Sequence, residues 1–323
     1  MNTLIAKITT LVLLGFALIG CQANSNEKKI GIIVPIEHKA MNEITNGFEE
    51  TLRAQVKQPL KFKIANAQGD LNLERAIIQQ MKNEGYDLIV PIGTDAGQMT
   101  AAAIQNQPIL SLASSMTEQE RVQRKPCNIA VLRDEMSIEK IMSFIHQTYP
   151  NIKHITLVHS AAEKIYPDVK SAVTIGNSYG VQVKPMLAST LNDLYSIANA
   201  MPAETQAILV LKDNLIVSGI STLALQAEKR HIPLMTSDQG SVQDGAAFAL
   251  GVHERDIGVE GAKLAAQILA GKPACSLPIV TMNKLTVFVN QQALTKEAQS
   301  LEPIAKAAKQ NDYTIEMTAG EKN

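Results

Sequence analysis

Apolar residues recur along the chain with two alternating periods, one typical of buried strands and the other of amphipathic helices. Residues 29–35 form a short β-rich run, and the apolar positions of residues 41–56 then fall on one helical face. This alternation of strand and helix is typical of an α/β unit with a mostly parallel sheet. The predicted elements are strands at 29–35, 60–65, 88–92 and 109–113, and helices at 41–56, 71–84 and 94–106.

Two of these helices carry end signals. Asp70 can cap the second helix and Gly85 can end it, whereas Thr94 or Asp95 can cap the third. The strands are therefore connected by helices, as a parallel sheet requires.

The same alternation restarts after Pro150, which predicts a second lobe similar to the first. Its predicted strands lie at 152–159, 181–185, 207–211 and 232–236, and its helices at 164–178, 191–200 and up to residue 230. A run at 246–252, a helix at 257–270 and a strand at 286–290 remain. In bilobed α/β binding proteins such segments cross back between lobes. By that analogy we expect lobe 1 at 30–131 and 254–286, and lobe 2 at 132–253 and 287–323.

The N-terminal segment has the layout of an export signal. Lys7 precedes a chiefly apolar stretch at residues 8–19, which is about a dozen residues and too short to span a ~30 Å hydrocarbon core. The sequence Leu-Ile-Gly before Cys21 looks like a bacterial lipobox, in which the Cys is acylated. We expect a signal peptide at 1–20, a lipid anchor such as palmitate on Cys21 and a polar tether at 21–29. The alternative is a plain signal peptide with an incidental Cys.

Composition narrows the class of protein. The formal net charge is −1 with acids and bases interspersed, so no nucleic-acid surface is indicated. Trp is absent and aromatic residues make up 4%, so aliphatic residues must build the core. In an oxidising exterior Cys127 and Cys275 can form a disulfide, although two separate buried thiols are the alternative.

In open parallel sheets, ligands bind outside the carboxyl ends of the strands, where helix N-termini offer free N–H groups. The loops that follow the predicted strands are all small or polar. Three come from each half, so they can converge on a cleft between the lobes. They span residues 36–42, 93–96, 113–115, 159–163, 212–214 and 237–240.

An ordered set of motifs adds a family resemblance. Glu37-His38-x-Ala40, the stretches at 65–70 and 86–89, Asp213-Asn214 and the later runs at 232–251 and 258–271 resemble substrate-binding lipoproteins of tryptophan/tyrosine-type ABC importers. The resemblance implies a type I periplasmic-binding fold that closes on a small ligand, usually an aromatic or branched amino acid. It also implies delivery to a membrane permease with its ATPase, from a lipoprotein facing the periplasm or the cell exterior.

The chain departs from this family at three of its loops. Asn42 stands where the family has an Asp, and a Ser114-Ser115 run replaces a Thr-Asp-Pro stretch. The loop at 159–166 keeps chiefly the acid Glu163. These departures affect the ligand contacts rather than the fold.

The ligand's charges require partners, because an unpaired charge in a water-poor cleft is very costly. The six loops contain no Arg, so we expect hydroxyl and N–H groups around Thr94, Ser114 and Ser115 to hold the carboxylate. Asp213 is the first choice for the ammonium, and Asn214 beside it can orient the ligand. Other candidates for the cleft, including alternative partners of the ammonium, are Glu37, His38, Asp95, Ser160, Glu163 and Asp238.

Each candidate also has a structural interpretation. Thr94, Asp95 and Ser114 can be helix caps, Glu37 can form a salt bridge between lobes, and Asp238 can belong to a turn. Tyr166, the aromatic residue near these loops, offers possible stacking.

Motifs for enzymatic chemistry are missing from the sequence. It contains no Walker A run, no G-x-G-x-x-G and no G-x-S-x-G, and its six His lack the spacing of helical zinc sites. We therefore predict no catalytic residue, cofactor or metal. A sensor of the same fold, coupled to a membrane signalling protein, is the alternative function.

Overall fold

The computed structural model describes residues 27–318 except 124 and 135. The predicted signal peptide, Cys21 and most of the tether lie outside the described residues. Within those residues no helix is long and apolar enough to cross a membrane.

The described chain alternates strands and helices almost throughout. The first elements are β1 (Lys28–Val34), α1 (Lys39–Gln55), β2 (Leu60–Asn66), α2 (Leu71–Glu84), β3 (Leu88–Pro91), α3 (Thr94–Ala103), β4 (Ile109–Ser111), α4 (Glu118–Val122) and β5 (Ile129–Arg133). The next are α5 (Ile138–Thr148), β6 (His154–His159), α6 (Tyr166–Ser178), β7 (Gln182–Leu187), α7 (Leu191–Ala200), β8 (Ala207–Leu209), α8 (Asn214–Ser218), α9 (Ile220–Arg230), β9 (Leu234–Thr236), α10 (Gln239–Gln243) and β10 (Phe248–Gly251). The last are α11 (Glu254–Leu269), β11 (Val280–Thr281), β12 (Thr286–Asn290), α12 (Gln291–Lys296), α13 (Leu301–Gln310) and β13 (Thr314–Thr318).

These strands form two sheets, each of which is the centre of one lobe. The first sheet has the order β11-β5-β4-β3-β1-β2, and its paired strands are parallel. The second has the order β13-β12-β10-β9-β8-β6-β7, in which β10 and β12 are the antiparallel pair. The predicted α/β class with mostly parallel sheets is confirmed.

The chain passes between the two sheets three times. It leaves the first sheet after β5, returns with α11 and β11, and leaves again for β12 and β13. The expected lobe boundary after residue 131 falls inside β5, whose residues up to Arg133 pair within the first sheet. The first lobe therefore extends two residues further at this crossing.

Helix α11 packs against α1 at very short range in the first lobe. Helix α1 buries the predicted apolar face that includes Met41, Ile44 and Phe48. A Cβ atom at Gly258 would lie 2.1 Å from the Ile44 carbonyl oxygen, so only a glycine permits this approach. The crossing-back helix is thereby fixed on the first lobe, and its N-terminus is directed toward the second.

The structure corrects several local expectations. Neither Thr94 nor Asp95 caps α3, because Gly93 occupies the N-cap with a φ of 97° that favours glycine. Ser114 caps no helix either, since Thr117 is the cap of α4. The helix predicted to end at Arg230 is interrupted at Gly219, and no element had been predicted for α4, β5 or α5.

A disulfide joins Cys127 and Cys275, with their Cα atoms 5.7 Å apart. Cys127 precedes β5, and Cys275 lies in a short 3₁₀ helix between α11 and β11. The bond therefore ties the segment that returns from the second lobe to the first lobe.

Candidate functional site

A cleft of about 510 Å³ lies between the two sheets and is lined by loops from both. It collects the carboxyl-end loops of β1, β3, β4 and β5 from the first lobe and of β6, β8 and β9 from the second. Most of the predicted site residues line it: His38, Thr94, Asp95, Ser115, Glu163, Asp213, Asn214 and Asp238.

The first-lobe wall contains a hydroxyl pair at the N-terminus of α3. No side chain caps this helix. The Thr94 and Ser115 hydroxyls lie 3.1 Å apart, and the Ser115 N–H donates to Thr94 Oγ1 at 3.0 Å. Uncapped N–H groups and the positive end of the helix dipole make this position suited to an anion.

The opposite wall contains Asp213, which is 2% exposed. Its Oδ2 accepts a hydrogen bond from the Ser160 N–H at 2.6 Å, and its Oδ1 accepts one from Ile216 N–H at 3.4 Å and so caps α8. The adjacent Asn214 reaches across the cleft to Gly93. If Gly93 had a Cβ atom, it would lie 3.6 Å from Asn214 Nδ2. The lobes therefore meet at Gly93 and Asn214.

Three predicted residues do not line the cleft. Glu37 accepts hydrogen bonds from Asn42 and Asn66 within its own lobe, so the expected salt bridge between lobes is not formed. Ser114 is completely buried and accepts from the Met116 N–H. The Ser160 hydroxyl accepts a hydrogen bond from the Ala162 N–H, and the Ser160 N–H donates one to Asp213.

The structure adds charged residues that the sequence analysis had missed. Arg133 and Asp134 line the cleft because β5 supplies a further loop, which corrects the expectation that the cleft lacks Arg. The Lys212 ammonium forms an ion pair with Asp134 across the cleft and also donates to its carbonyl oxygen at 3.3 Å. The apolar run at 129–132 was the signal that could have revealed this loop.

Glu254, the first residue of α11, is a further buried carboxyl in the lining and is 2% exposed. Its Oε1 accepts from the Gln239 N–H at 2.9 Å. Burial, reinforced by the charge of Asp238 and only partly offset by Lys212, raises the pKa of Glu254 to about 8. Burial also lowers the pKa of His38 despite the nearby Asp238. Burial alone would lower the pKa of the Lys212 ammonium, but the neighbouring Asp134, Glu254 and Asp238 raise it, so this cation interacts with the whole group.

The remaining lining is largely aliphatic. Tyr166 is not among the lining residues and packs edge-on against His159, with ring centroids 5.8 Å apart. None of the described lining residues is Phe, Tyr or Trp, and the aromatic ring in the lining is the imidazole of His38. No group of three or more potential metal ligands occurs in the described part of the chain. The aliphatic side chains include Met41, Ile44, Met136, Ile138, Ile141 and Ile165.

A comparison with protein families places this cleft in context. The sequence profile of the family described as ABC transporter substrate binding protein matches residues 29–311. The chain belongs to this family. It is accordingly a solute-binding protein rather than an enzyme, and substrate-binding proteins of ABC transporters are exported.

Individual relatives of this substrate-binding protein cover most of its length. It is 35% identical over 273 residues to the uncharacterised protein RP367 of Rickettsia prowazekii, covering 84% of this chain and 86% of that one. It is 26% identical over 316 residues to a tyrosine-binding protein of Clostridioides difficile, covering 89% and 91%.

A solved structure supports the fold. A domain from Streptococcus pneumoniae in complex with L-Trp superposes with a TM-score of 0.79 at 22% identity, covering 87% of this chain and 98% of that one. The expected type I periplasmic-binding fold is confirmed.

Proposed function

We propose that this substrate-binding protein is the lipoprotein component of an ABC importer and that it captures an α-amino acid between its lobes. The observation that carries the proposal is the arrangement of the cleft, in which an uncapped helix N-terminus with two hydroxyls faces a lobe containing a buried Asp. An amino acid has one group of each charge, and the two walls have the complementary chemistry.

The ligand carboxylate is assigned to the first lobe. Thr94 and Ser115 supply hydroxyl donors, and the first turn of α3 supplies N–H groups. Hydrogen bonds to a charged acceptor are worth ~1.5–3 kcal/mol, so such a set of donors can hold a carboxylate. Ser114 is removed from the assignment because it is buried behind the cleft.

The α-ammonium is assigned to Asp213 with Asn214. Asp213 retains acceptor capacity after its two backbone hydrogen bonds, since each carboxylate oxygen has two lone pairs. The Ser160 and Ile216 N–H groups fix the orientation of its carboxylate before the ligand arrives.

The resemblance and the tyrosine-binding relative favour an aromatic or branched side chain. The aliphatic lining supports a side chain with an extended hydrophobic surface. The described lining contains no Phe, Tyr or Trp, so we expect hydrophobic contact to contribute more to selection than stacking does. A volume of about 510 Å³ lies in the usual range for small-ligand sites.

Closure of the lobes would present the loaded protein to a permease. Ion pairs between described residues already connect the lobes, among them Lys39 with Asp244 at 2.7 Å and Lys212 with Asp134. A lipid on Cys21 would keep the protein near its transporter. Replacing the thiol by Cys21→Ser is expected to block processing or release the protein from membranes without changing ligand affinity, as measured by fractionation and titration.

Thermal unfolding of the chain from Asn24 onward, with each amino acid in turn, tests the ligand class. A ligand at 100 times its dissociation constant adds ~2.7 kcal/mol of stability, or several degrees. A shift with sugars, nucleosides or peptides and with no amino acid would contradict the proposal while leaving the fold unaffected.

A further inference from the structure

The start of α1 in the first lobe and the short helix α10 in the second form a very close contact between the lobes. A Cβ atom at Gly240 would lie 2.6 Å from the Ala40 backbone nitrogen and 3.2 Å from the Cβ atoms of Ala40 and Lys39. Ordinary contacts need ~3.5 Å. The φ of Gly240 is not positive, so its backbone would accept alanine, and it is the space beside α1 that requires glycine.

An ion pair between the lobes lies beside this contact. Lys39, the first residue of α1, and Asp244, which follows α10, have their Nζ and Oδ1 atoms 2.7 Å apart. The two side chains are 30% and 27% exposed, so salt screens this pair less than a fully exposed one. Lys39, Asp244 and Gly240 are not among the residues that line the cleft. They can therefore affect ligand binding through the arrangement of the lobes rather than by touching the ligand.

Helix α10 is fixed within the second lobe, so it cannot move away from α1 on its own. Val242 is completely buried in the core of that lobe, and its carbonyl oxygen accepts a hydrogen bond from Asn290 Nδ2 at 2.9 Å. The N–H and hydroxyl groups of Ser241 donate to Asp238 at 2.7 and 2.6 Å. A wider distance between α10 and α1 consequently requires the second lobe to move.

Helix α1 is fixed in the same way on the first lobe, by its packing against α11. A Cβ atom at Gly47 would lie 2.5 Å from the Arg255 carbonyl oxygen, and the approach at Gly258 is closer still. The residues that immediately precede α1 and α10, His38 and Asp238, both line the cleft. The contact thus joins two rigid elements whose first turns adjoin the ligand cleft.

We propose that the Gly240 contact and the Lys39–Asp244 ion pair stabilise the closed arrangement of the lobes, which makes these three residues positioning residues for ligand capture. The apparent dissociation constant of a ligand equals its intrinsic value divided by the fraction of the protein in the binding-competent form. Loss of the contact therefore weakens binding without removing any ligand contact. The inference goes beyond the proposed function, because it concerns closure and holds for any class of ligand.

The variant Gly240→Ala tests the close contact, because relief of the 2.6 Å approach requires the lobes to separate locally by about 1 Å. Calorimetric titration of the chain from Asn24 onward with L-tyrosine and with L-leucine is expected to show about tenfold weaker binding than in the unmodified chain. Small-angle X-ray scattering is expected to show a larger radius of gyration.

Gly176→Ala is the matched control for this variant. Its Cβ atom would lie 2.6 Å from the Val183 side chain and 2.9 Å from the Val181 carbonyl oxygen, so this clash stays within the second lobe. We expect it to lower the melting temperature and to leave both the affinity and the radius of gyration unchanged.

Charge reversal tests the ion pair. Lys39→Glu and Asp244→Lys are each expected to weaken binding about three- to tenfold and to increase the radius of gyration, because repulsion replaces attraction. The two substitutions together restore the pair and should recover both values. Lys63→Glu is the control, because the Lys63–Glu84 pair at 3.3 Å lies within the first lobe, and it should change neither value.

The outcomes separate this inference from the proposed function. Unchanged radii of gyration in Gly240→Ala and in both single charge reversals, with the variants folded by circular dichroism, overturn the inference for any ligand. Single reversals that the double variant does not rescue overturn the role of the ion pair. Binding of neither L-tyrosine nor L-leucine by the unmodified chain contradicts the proposed ligand class, and the scattering comparison then decides the inference alone.

Discussion

The contact between α1 and α11 allows a stringent test of how the first lobe is assembled. In Gly258→Ala the new Cβ would lie 2.1 Å from the Ile44 carbonyl oxygen and 2.6 Å from the Phe48 nitrogen. Both are backbone atoms of α1 and cannot rotate away. Ordinary contacts need ~3.5 Å, so relieving the 2.1 Å contact requires the two helices to separate by about 1.4 Å.

The cost follows from two opposing effects. Overpacking of this kind costs ~1–3 kcal/mol or more, and a clash with several backbone atoms of α1 places it at the upper end. The higher helix propensity of Ala offsets ~1 kcal/mol. We expect a net loss of ~2 kcal/mol, which corresponds to a melting temperature ~4–8 °C lower.

The assay is thermal unfolding followed by circular dichroism, with Gly261→Ala as the control. That Cβ would meet the Leu112 side chain, its nearest atom at 2.6 Å, and a side chain can change rotamer. We expect a smaller loss for Gly261→Ala. Because α11 begins at Glu254, Gly258→Ala should also weaken ligand binding. A Gly258→Ala variant as stable as the unmodified chain would refute the packing argument.

The remaining predictions concern stability and the binding site. Reducing the Cys127–Cys275 disulfide, which has a sequence separation of 148, should lower the melting temperature because chain entropy alone is worth ~5 kcal/mol; unchanged melting with and without dithiothreitol would contradict this. Burial raises the pKa of Glu297 to about 9, so the stability given by its protonated form is present below the unfolded value of ~4.5 and is lost as pH rises toward 9. Glu297→Gln should therefore gain up to ~3 kcal/mol over the unmodified chain at pH 7 and nothing at pH 4, as measured by urea unfolding; an equal effect at both pH values would exclude ionisation as the cause. Asp213→Asn should weaken amino-acid binding at least tenfold in calorimetry, whereas Asp193→Asn, which alters an exposed helix cap outside the cleft, should not.

The elements that could be predicted from the sequence are those whose local pattern agrees with their burial. The predicted helix 191–200 and strand 286–290 coincide with α7 and β12. Helix α7 has its own apolar face and a capping box, and β12 is a short run that is buried throughout. The missed α5 also has a helical face, with Ile138, Ile141 and Ile145 at the required spacing. Missing β5 and α5 left out Arg133 at the end of β5 and the loop that follows it.

The site was harder to predict, because distant segments meet in it. Thr94 and Asp213 could be found from their place after a strand. Glu254 could not, because its environment arises when α11 crosses back to the first lobe and brings it next to Asp238. The rule that places Thr or Asp at the N-cap also failed for α3. Gly93 occupies the N-cap with a positive φ, and the Thr94 hydroxyl instead accepts a hydrogen bond from the Ser115 N–H.

The central claim is that the cleft captures one α-amino acid through both of its charged groups. Calorimetric titration of the chain from Asn24 onward with the amino acid that binds most tightly, and with its N-acetyl and carboxamide derivatives, tests this most directly. The account predicts one site per chain for the free amino acid and at least tenfold weaker binding of each derivative. Undiminished binding of either derivative, or no saturable binding of any amino acid, would contradict it.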